Sequence, residues 1–327
     1  MKKIIGVFVG LGLFLVGCNR NAEEGVGGNE ETTIKVGIVS IIDHPALDSL
    51  RDNFKEQLKT KKIDEVDGIS FRYKSAQGRI ADANQIIAGY IGKVDMILAI
   101  GTPVAKVAAE KIKDKPVVFA AITDPVGAGL VDSMEKPGRN LTGTSDMNPI
   151  QDQLLLIKAL LPKAKRVGIV YNNGEPNSVV MVKLAQEKAK SLGIEIVEAT
   201  AMRTADVKTA VSSLIGKVDA VFMTTDNTVA AAVDVITATC KENAIPFFSA
   251  EDKTVRDGEA VAAMCVNYGQ LGRQTANIAA RILKGENPAE IPVEFQKDFD
   301  LVINKGMAKS FGISIPEEIL QKAEVVQ

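Results

Sequence analysis

The chain of 327 residues is poor in the side chains that carry metal and redox chemistry. It has one histidine, His44, and three cysteines, at positions 18, 240 and 265. Their spacing matches no zinc or iron–sulfur site, so we expect no metal and no cofactor. Cys240 lies in a helical Ala/Val pattern and Cys265 in an apolar strand, where buried, unreactive thiols are usual. A disulfide between them is the alternative in an exported chain.

Tryptophan is absent, aromatic residues make up 5% of the chain, and charge of neither sign predominates. Lys and Arg number 39 against 41 Asp and Glu, which gives a net charge of −2. A nucleic-acid-binding protein needs a basic surface to displace counterions from phosphates, so we expect no nucleic acid as partner. The apolar 46% is mostly Ala, Val, Ile and Leu, which suits buried parallel strands and their covering helices. At roughly 150 residues per domain, the length indicates two α/β domains.

Motifs that build common catalytic sites are also missing. The sequence has no G-x-S-x-G elbow and no G-x-x-x-x-G-K-[ST] loop. A nucleophile–base pair would depend on His44, which precedes Pro45 and is more typical of a loop residue. We therefore expect a protein without catalytic residues, with an exported α/β enzyme as the weakest alternative.

The first residues resemble an export signal. Two lysines precede the uncharged run 4–16, which at about 13 residues is shorter than the roughly 20 that a membrane-spanning helix needs. The run ends in LVGC, which resembles a bacterial lipobox, so we predict a lipoprotein signal peptide over 1–17 and a lipidated Cys18 in the bilayer. A short transmembrane anchor is the alternative. Residues 18–32 are typical of a flexible tether.

The rest of the chain repeats itself. KVGIVS at 35–40 returns as RVGIVY at 166–171, IGKVDMILAIGTPVA at 91–105 as IGKVDAVFMTTDNTVA at 215–230, and KPVVFAA at 115–121 as IPFFSA at 245–250. The offsets are 131, 124 and 130 residues, so two halves carry the same three elements in the same order. This pattern indicates duplication of one supersecondary unit.

Each half alternates short β-branched strands with helical patterns. The strands lie near 34–40, 69–74, 96–100 and 117–121, then 166–171, 194–198, 219–224 and 246–249; the helices lie near 46–60, 80–92 and 103–112, then 177–192, 204–216 and 228–242. Such alternation predicts parallel sheets with helices on both faces, and hence an α/β fold of two doubly wound lobes.

The joins between these elements predict a multi-strand hinge. The segment 137–153 is rich in Pro, Gly and Asn, and a further strand at 259–266, a helix at 270–284 and a strand at 300–304 follow the second half before a short tail. We expect them to cross between the lobes. The predicted N-terminal lobe is 33–144 plus 267–290, and the predicted C-terminal lobe is 145–266 plus 291–327.

Polar residues follow the strands at equivalent places in both halves. Ligands of open parallel sheets bind beyond the carboxyl ends of the strands, where helix N-termini offer free N–H groups. The candidate ligand-binding residues are Thr102, Thr123, Asp124, Ser145, Asp146, Tyr171, Asn177, Ser178, Asp226, Asn227, Glu251 and Tyr268. Helix capping is the alternative role for Thr102, Ser178 and Asp226.

Long stretches after residue 33 carry a family resemblance. They are GIVSIIDHPALDSLRDNF at 37–54, SAQG at 75–78, AIGTPVA at 99–105, VVFAAITDPVGAGLV at 117–131, PGRNLTGTSD at 137–146, QLLLIKALLPKAKRVGIVYNNGEPNS at 153–178, TTDNTV at 224–229 and NYGQLGRQTA at 267–276. They resemble the bacterial ABC-transporter substrate-binding lipoproteins of the tryptophan/tyrosine-binding type, which have a type I periplasmic-binding-protein fold. The resemblance implies binding without catalysis, an ABC permease as partner and frequently an aromatic amino acid as cargo.

The residue chemistry agrees independently with a zwitterion. A carboxylate would suit hydroxyls at helix starts, such as Thr102, Thr123 and Ser178 or Ser145. An ammonium would suit a carboxylate, with Asp226 and Asp146 favoured over Asp124 and Glu251. We therefore predict a monomeric, extracytoplasmic lipoprotein of the cell envelope that captures Trp, Tyr or Phe by hinge closure. A sugar or nucleoside as cargo, and a sensing domain of a cytoplasmic regulator if Cys18 carries no lipid, are the alternatives.

Overall fold

The computed structural model describes residues 33–63 and 68–327. The predicted signal peptide (1–17), the predicted tether (18–32) and Cys18 lie outside the described residues. In the part of the chain that is described, no helix has both the length and the apolar character needed to cross a bilayer.

Most strands of the described residues begin and end close to the predicted positions, and three have no predicted counterpart. The strands are β1 (Thr33–Ser40), β2 (Gly68–Ser75), β3 (Met96–Ile100), β4 (Val117–Ala120), β5 (Leu141–Ser145), β6 (Arg166–Tyr171), β7 (Glu195–Thr200), β8 (Ala220–Met223), β9 (Phe247–Ser249), β10 (Ala262–Cys265), β11 (Glu294–Phe295), β12 (Asp300–Asn304) and β13 (Glu324–Val326).

The helices alternate with these strands. They are α1 (Pro45–Lys59), α2 (Ile80–Tyr90), α3 (Thr102–Lys111), α4 (Ile150–Leu160), α5 (Pro176–Ser191), α6 (Val207–Ser212), α7 (Asn227–Ala230), α8 (Val233–Glu242), α9 (Asp252–Arg256), α10 (Tyr268–Leu283), α11 (Lys305–Ser310) and α12 (Glu317–Leu320). Several begin with proline at the first turn, where its fixed φ suits the helix and its missing N–H costs nothing.

Two sheets organise the fold. The first has the order β11-β5-β4-β3-β1-β2 with every pair parallel, and the second has the order β13-β12-β10-β9-β8-β6-β7. The order β5-β4-β3-β1-β2 recurs as β10-β9-β8-β6-β7, as duplication predicts. Every residue of β3 and β4 is buried, because helices cover both faces of the sheet. Phe119 and Phe222 lie in the two cores and not at a ligand site.

Three crossings join the sheets. The chain passes from β5 of the first sheet to α4, which packs against β10 of the second sheet, and returns from β10 to α10, which packs against α1, β4 and β5. It crosses a third time between β11 and β12. The predicted multi-strand hinge is therefore present in a two-sheet α/β fold.

The structure corrects the prediction for the segment 137–153. This segment contains β5, whose sequence LTGTS is buried throughout although it has few large apolar residues. Gly143 explains the composition, because a Cβ there would lie 1.9 Å from the Phe119 carbonyl oxygen. The strand therefore depends on close backbone approach, which leaves no hydrophobic pattern in the sequence.

Other elements differ from the predicted ones in the second half. The predicted helix 228–242 is broken into α7 and α8, and the helix predicted over 204–216 is a 3₁₀ turn at Thr204–Asp206 followed by α6. The predicted short tail contains α11, α12 and β13. β12 runs antiparallel to β10, so the second sheet is not purely parallel.

One stretch of the predicted C-terminal lobe belongs elsewhere. Glu294 and Phe295, assigned with 291–327 to that lobe, form β11 and pair with β5 in the first sheet. A strand of two residues has no periodicity to reveal its partner. The other lobe boundaries stay a prediction.

Candidate functional site

The carboxyl ends of the strands of both sheets meet at one largely enclosed cavity. The first sheet and its joins contribute Ile42, His44, Leu47, Gly101, Thr102, Ala121, Thr123, Asp146 and Tyr268, and the second contributes Asn177, Thr225, Asp226, Asn227, Ala230 and Glu251. The cavity between them is small, with a volume of about 20 Å³ available to the centres of water molecules. Sites for small molecules typically occupy roughly 300–1,000 Å³, so a ligand of that size requires the walls to move apart.

Asp146 follows β5 and is buried at the join between the sheets. Its Oδ1 accepts a hydrogen bond from the Thr123 hydroxyl at 3.2 Å, and its Oδ2 accepts one from the Tyr268 hydroxyl at 2.9 Å. Burial raises the pKa of Asp146, and the two hydrogen bonds oppose this shift. Burial, followed by the charges of Asp146 and Glu251, raises the pKa of Tyr268 well above its ordinary value, so Tyr268 stays a donor.

Asp226 is the N-cap of α7, which follows β8 of the second sheet. Its Oδ1 accepts from the Val229 N–H at 2.8 Å and its Oδ2 from the Asn172 N–H at 2.6 Å. Burial and then the nearby charge of Glu175 raise the pKa of Asp226 to about 6. Asp226 therefore caps a helix, as the alternative predicted, and also lines the cavity.

Glu251 and His44 come from opposite sides of the cavity. His44 lies in the loop between β1 and α1, and Glu251 follows β9 in the other sheet. His44 Nε2 is 3.5 Å from Glu251 Oε2, and both side chains are 12% exposed. Burial raises the pKa of Glu251, while the neighbouring His44 opposes the shift. The pair is a direct polar contact between the two walls.

The cavity lining carries an excess of negative charge. Asp146, Asp226 and Glu251 line it, and no lysine or arginine of the described residues does. Removing a carboxylate from water costs several kcal/mol, and burial raises the pKa of each of the three. The lining therefore favours a ligand that brings a positive charge.

Two buried polar atoms of the lining have no hydrogen-bond partner within the described ranges. They are the hydroxyl oxygen of Thr102, in the first turn of α3, and the side-chain oxygen of Asn177, in the first turn of α5. Gly101 precedes Thr102 and has a φ of 93°, and a Cβ at this position would lie 2.6 Å from Ile41 Cγ2. The turn that places the Thr102 hydroxyl at the cavity therefore requires glycine. Buried polar atoms are nearly always paired, so both point to a ligand with polar groups of its own.

The structure brings most of the predicted site residues to this cavity. Thr102, Thr123, Asp146, Asn177, Asp226, Asn227, Glu251 and Tyr268 all line it. Ser178 lies just behind the lining, fully buried, and its Oγ accepts a hydrogen bond from Asn177 Nδ2 at 3.3 Å.

Three predicted residues turn away from the lining. Asp124 accepts from the Gly127 N–H at 2.8 Å within its own turn, and the Ser145 hydroxyl donates to the Thr123 carbonyl at 3.1 Å. Tyr171 donates to the exposed Glu198 of β7 at 2.6 Å, and this bond, followed by burial, raises the pKa of Tyr171 to about 12. Ser145 and Asp146 are neighbours at the end of β5 and point to opposite sides, so a shift of one position decides which of them lines the cavity.

The lining also contains residues that the prediction did not commit to. His44 is among them, although its place at the end of β1 was a usable signal. The others are Ile42, Leu47, Gly101, Ala121, Thr225 and Ala230. Most of these are small or apolar, so only their position in the fold marks them.

Neither Cys240 nor Cys265 lines the cavity. Cys240 and Cys265 are both free and buried, so the disulfide left open by the sequence is not formed. Burial raises the pKa of Cys240 to about 12, which keeps the thiol protonated. Among the residues that the structure describes, no three potential ligands converge on a metal site.

Known proteins resemble the chain over nearly its whole length. The family model described as ABC transporter substrate binding protein matches residues 35–327. A protein of Clostridioides difficile called tyrosine-binding protein is 35% identical over 318 residues, which cover 94% of this chain and 92% of that protein.

Two solved structures bear on the conformation. A domain from Streptococcus pneumoniae in complex with L-Trp is 31% identical and has a TM-score of 0.86, with 90% of this chain and 100% of that chain covered. A substrate-binding protein from Clostridium difficile, in its ligand-free, open form, is 35% identical and has a TM-score of 0.68, with 90% and 99% covered. The present structure is thus nearer in shape to the complex than to the open form.

Proposed function

The chain belongs to the ABC transporter substrate-binding protein family, and from this premise we propose that it binds an aromatic amino acid between its two sheets. Members of the family bind solutes outside the cytoplasm for an ABC transporter, and we propose that this chain has no catalytic activity of its own. The cavity would hold Tyr, Trp or Phe, and the bound form would be delivered to the permease.

The observation that carries this proposal is the charge of the lining. Three buried carboxylates face the cavity, and within the described lining only His44, beside Glu251, can carry a positive charge to balance them. An ammonium group of the ligand would supply the missing positive charge. Asp146 and Asp226 are the favoured partners, because both are almost fully buried and each carboxylate oxygen keeps a free lone pair beside its existing hydrogen bond.

The carboxylate of the amino acid needs donors on the other side. The N-terminal end of α3 offers a partial positive charge, and the unpartnered Thr102 hydroxyl lies in its first turn. Asn177 brings an unpartnered acceptor from the opposite wall, which suits a second ammonium hydrogen or a polar group of the side chain. A zwitterion satisfies both kinds of orphaned atom at once.

The remaining lining suits an apolar side chain of moderate size. Ile42, Leu47, Ala121 and Ala230 contribute apolar surface, and Tyr268 contributes the aromatic ring of the lining. The curated relative from Clostridioides difficile is named for tyrosine, and the Streptococcus pneumoniae structure holds L-Trp. Both names support an aromatic amino acid over the sugars and nucleosides that the sequence left open.

Access to the cavity requires the walls to separate. Its gaps are narrow and its walls come from two different sheets, joined by three crossings at one side. We propose that rotation about these crossings opens the cavity, and that ligand binding shifts the population to the closed form. The greater similarity to the L-Trp complex than to the open structure supports this cycle.

We further propose that the chain is exported and anchored by lipid on Cys18. Metabolic labelling with a radioactive fatty acid is expected to label the unaltered protein and to leave Cys18→Ser unlabelled. Equal labelling of both, or of neither, would rule out the anchor. The monomeric state is likewise a proposal, to be checked by sedimentation of the mature chain.

Titration calorimetry tests the ligand class. Tyrosine, tryptophan and phenylalanine are compared with glucose, ribose and adenosine on the mature chain after unfolding and refolding to remove any retained solute. We expect at least one aromatic amino acid to bind near the micromolar level, about −8 kcal/mol. At 100 times its Kd that ligand should also stabilise the protein by about 2.7 kcal/mol. Binding of a sugar or nucleoside with no response to amino acids would refute the proposal.

A further inference from the structure

A short motif recurs on the surface of both halves. R-I-A-D at 79–82 follows β2, and R-T-A-D at 203–206 follows β7. Their offset of 124 residues equals that of the IGKVD repeat, so the two arginines occupy the same position of the duplicated unit. The cavity uses neither arginine, because neither lines it.

The two arginines also share their local geometry. Arg79 Nε donates to Asp82 at 2.8 Å, and Arg203 Nε donates to Asp206 at 3.0 Å. The side chain of Arg79 is 70% exposed and that of Arg203 is 78% exposed. The duplicated halves have therefore kept an outward-facing arginine in one orientation, tied to an aspartate three residues later.

Helix stability does not account for an arginine at this position. Arg79 is the residue that precedes the first turn of α2, and Arg203 precedes the 3₁₀ turn at Thr204–Asp206. Helix starts favour Ser, Thr, Asp or Asn, and a positive charge there opposes the helix dipole. An exposed ion pair contributes only about 0–1 kcal/mol. A requirement other than folding is needed to explain why both halves keep the arginine.

Each arginine has an exposed apolar neighbour. Ile80 follows Arg79 and is 47% exposed, and Met202 precedes Arg203 and is 60% exposed. Arginine and methionine are enriched where proteins bind each other, and an exposed isoleucine adds apolar surface to such a contact. The two patches thus have the composition of contact sites.

The topology places these patches on the side of each sheet that faces the cavity. β2 is the edge strand of the first sheet and β7 is the edge strand of the second, and each lies at the opposite end of its sheet from the strands that cross between the sheets. Both patches follow the carboxyl ends of these strands, which is the side that faces the cavity. The two patches lie far from the crossings. Rotation about the crossings therefore changes the distance between the patches by more than it changes distances between residues close to the crossings.

We propose that Arg79 with Ile80 and Arg203 with Met202 form a pair of docking contacts for the ABC permease. The permease would present acidic side chains at two positions related by an approximate two-fold axis, because the strand order around the two arginines is the same in both sheets. A partner with fixed spacing would match both contacts in only one hinge state, so the pair would report closure. The proposal rests on the proposed function only for the identity of the partner as a permease.

Uptake measurements test the pair. Cells that lack the chromosomal copy receive the full-length chain, and uptake of radiolabelled tyrosine is measured. We expect Arg79→Glu/Arg203→Glu to lower uptake more than about tenfold, with tyrosine affinity by calorimetry and the unfolding temperature unchanged. The conservative Arg79→Lys/Arg203→Lys variant should retain most uptake. The matched control is Arg139→Glu/Arg166→Glu, which makes the same charge change at exposed positions near the amino ends of β5 and β6.

Normal uptake by the charge-reversed variant would overturn the proposal. An equal loss in the control, or a loss explained by weaker tyrosine binding, would overturn it as well. A readout that does not depend on the solute is photo-crosslinking in cells, with benzoylphenylalanine placed at position 80 or 202 and, as control, at 166. The expected product is a covalent adduct with a permease subunit, identified by mass spectrometry, from 80 and 202 only. Absence of that adduct refutes the docking role even if tyrosine proves to be the wrong solute.

Discussion

The Asp146→Asn substitution separates the charge of the cavity from its shape. Both hydrogen bonds to Asp146 come from hydroxyl groups, those of Thr123 and Tyr268, at 3.2 and 2.9 Å. An asparagine can keep both, because its oxygen accepts from Tyr268 while its amide donates to the Thr123 oxygen after that hydroxyl rotates. The substitution therefore removes a charge and leaves the local contacts in place.

We expect tyrosine affinity to fall while the ligand-free protein stays folded. A hydrogen bond between charged groups contributes about 1.5–3 kcal/mol, so the loss corresponds to roughly a 10- to 150-fold weaker Kd. Calorimetry at pH 7.5 measures it. The control is Glu198→Gln, since Glu198 accepts a hydrogen bond from Tyr171 at 2.6 Å outside the cavity and should leave the affinity unchanged.

The same variant makes a prediction about stability. Burial raises the pKa of Asp146, so the folded ligand-free protein binds this proton more tightly than the unfolded chain does. The stabilisation that follows is present at low pH and is lost as pH rises through the folded-state pKa. Thermal unfolding should therefore show Asp146→Asn as stable as the unaltered protein or more so at pH 7.5, with the difference shrinking toward pH 4. Unchanged affinity in this variant would refute our assignment of the ammonium partner.

Three further predictions concern single positions. Thr102→Val should weaken tyrosine binding by about 1 kcal/mol, as measured by calorimetry. The stability of the ligand-free protein should not fall, because the Thr102 hydroxyl has no hydrogen-bond partner to lose within the described residues. Asp226→Ala should weaken tyrosine binding by about 2 kcal/mol or more. It should also lower the free energy of unfolding by about 1 kcal/mol, because Asp226 caps α7. Unchanged tyrosine affinity would show that Asp226 is not part of the binding site. Gly143→Ala should cost more than about 3 kcal/mol in urea unfolding through its clash with Phe119, whereas Gly89→Ala, with open space in α2, should be neutral or stabilising.

The side chains of the cavity come together through long-range contacts, which local patterns in the sequence do not reveal. Tyr171 ends the apolar strand β6 and Tyr268 follows the apolar strand β10, yet Tyr171 donates to the exposed Glu198 and Tyr268 to the buried Asp146. His44 and Glu251 are separated by more than half the chain and meet only because the two sheets face each other. Such pairings follow from how the halves pack, so the sequence predicted the strand ends but not which side chains meet.

The sequence by itself determined the alternation of strands and helices, the duplication of the unit and the polar character of the strand ends. These features are local, because periodicity, helix starts and turns are decided within a few residues. Tertiary structure decided that LTGTS is a strand, since Gly143 must lie against the backbone of β4, and that Glu294 and Phe295 complete the first sheet. It also decided the negative charge of the cavity, because the carboxylates involved are brought together only when the carboxyl ends of two separate sheets face each other.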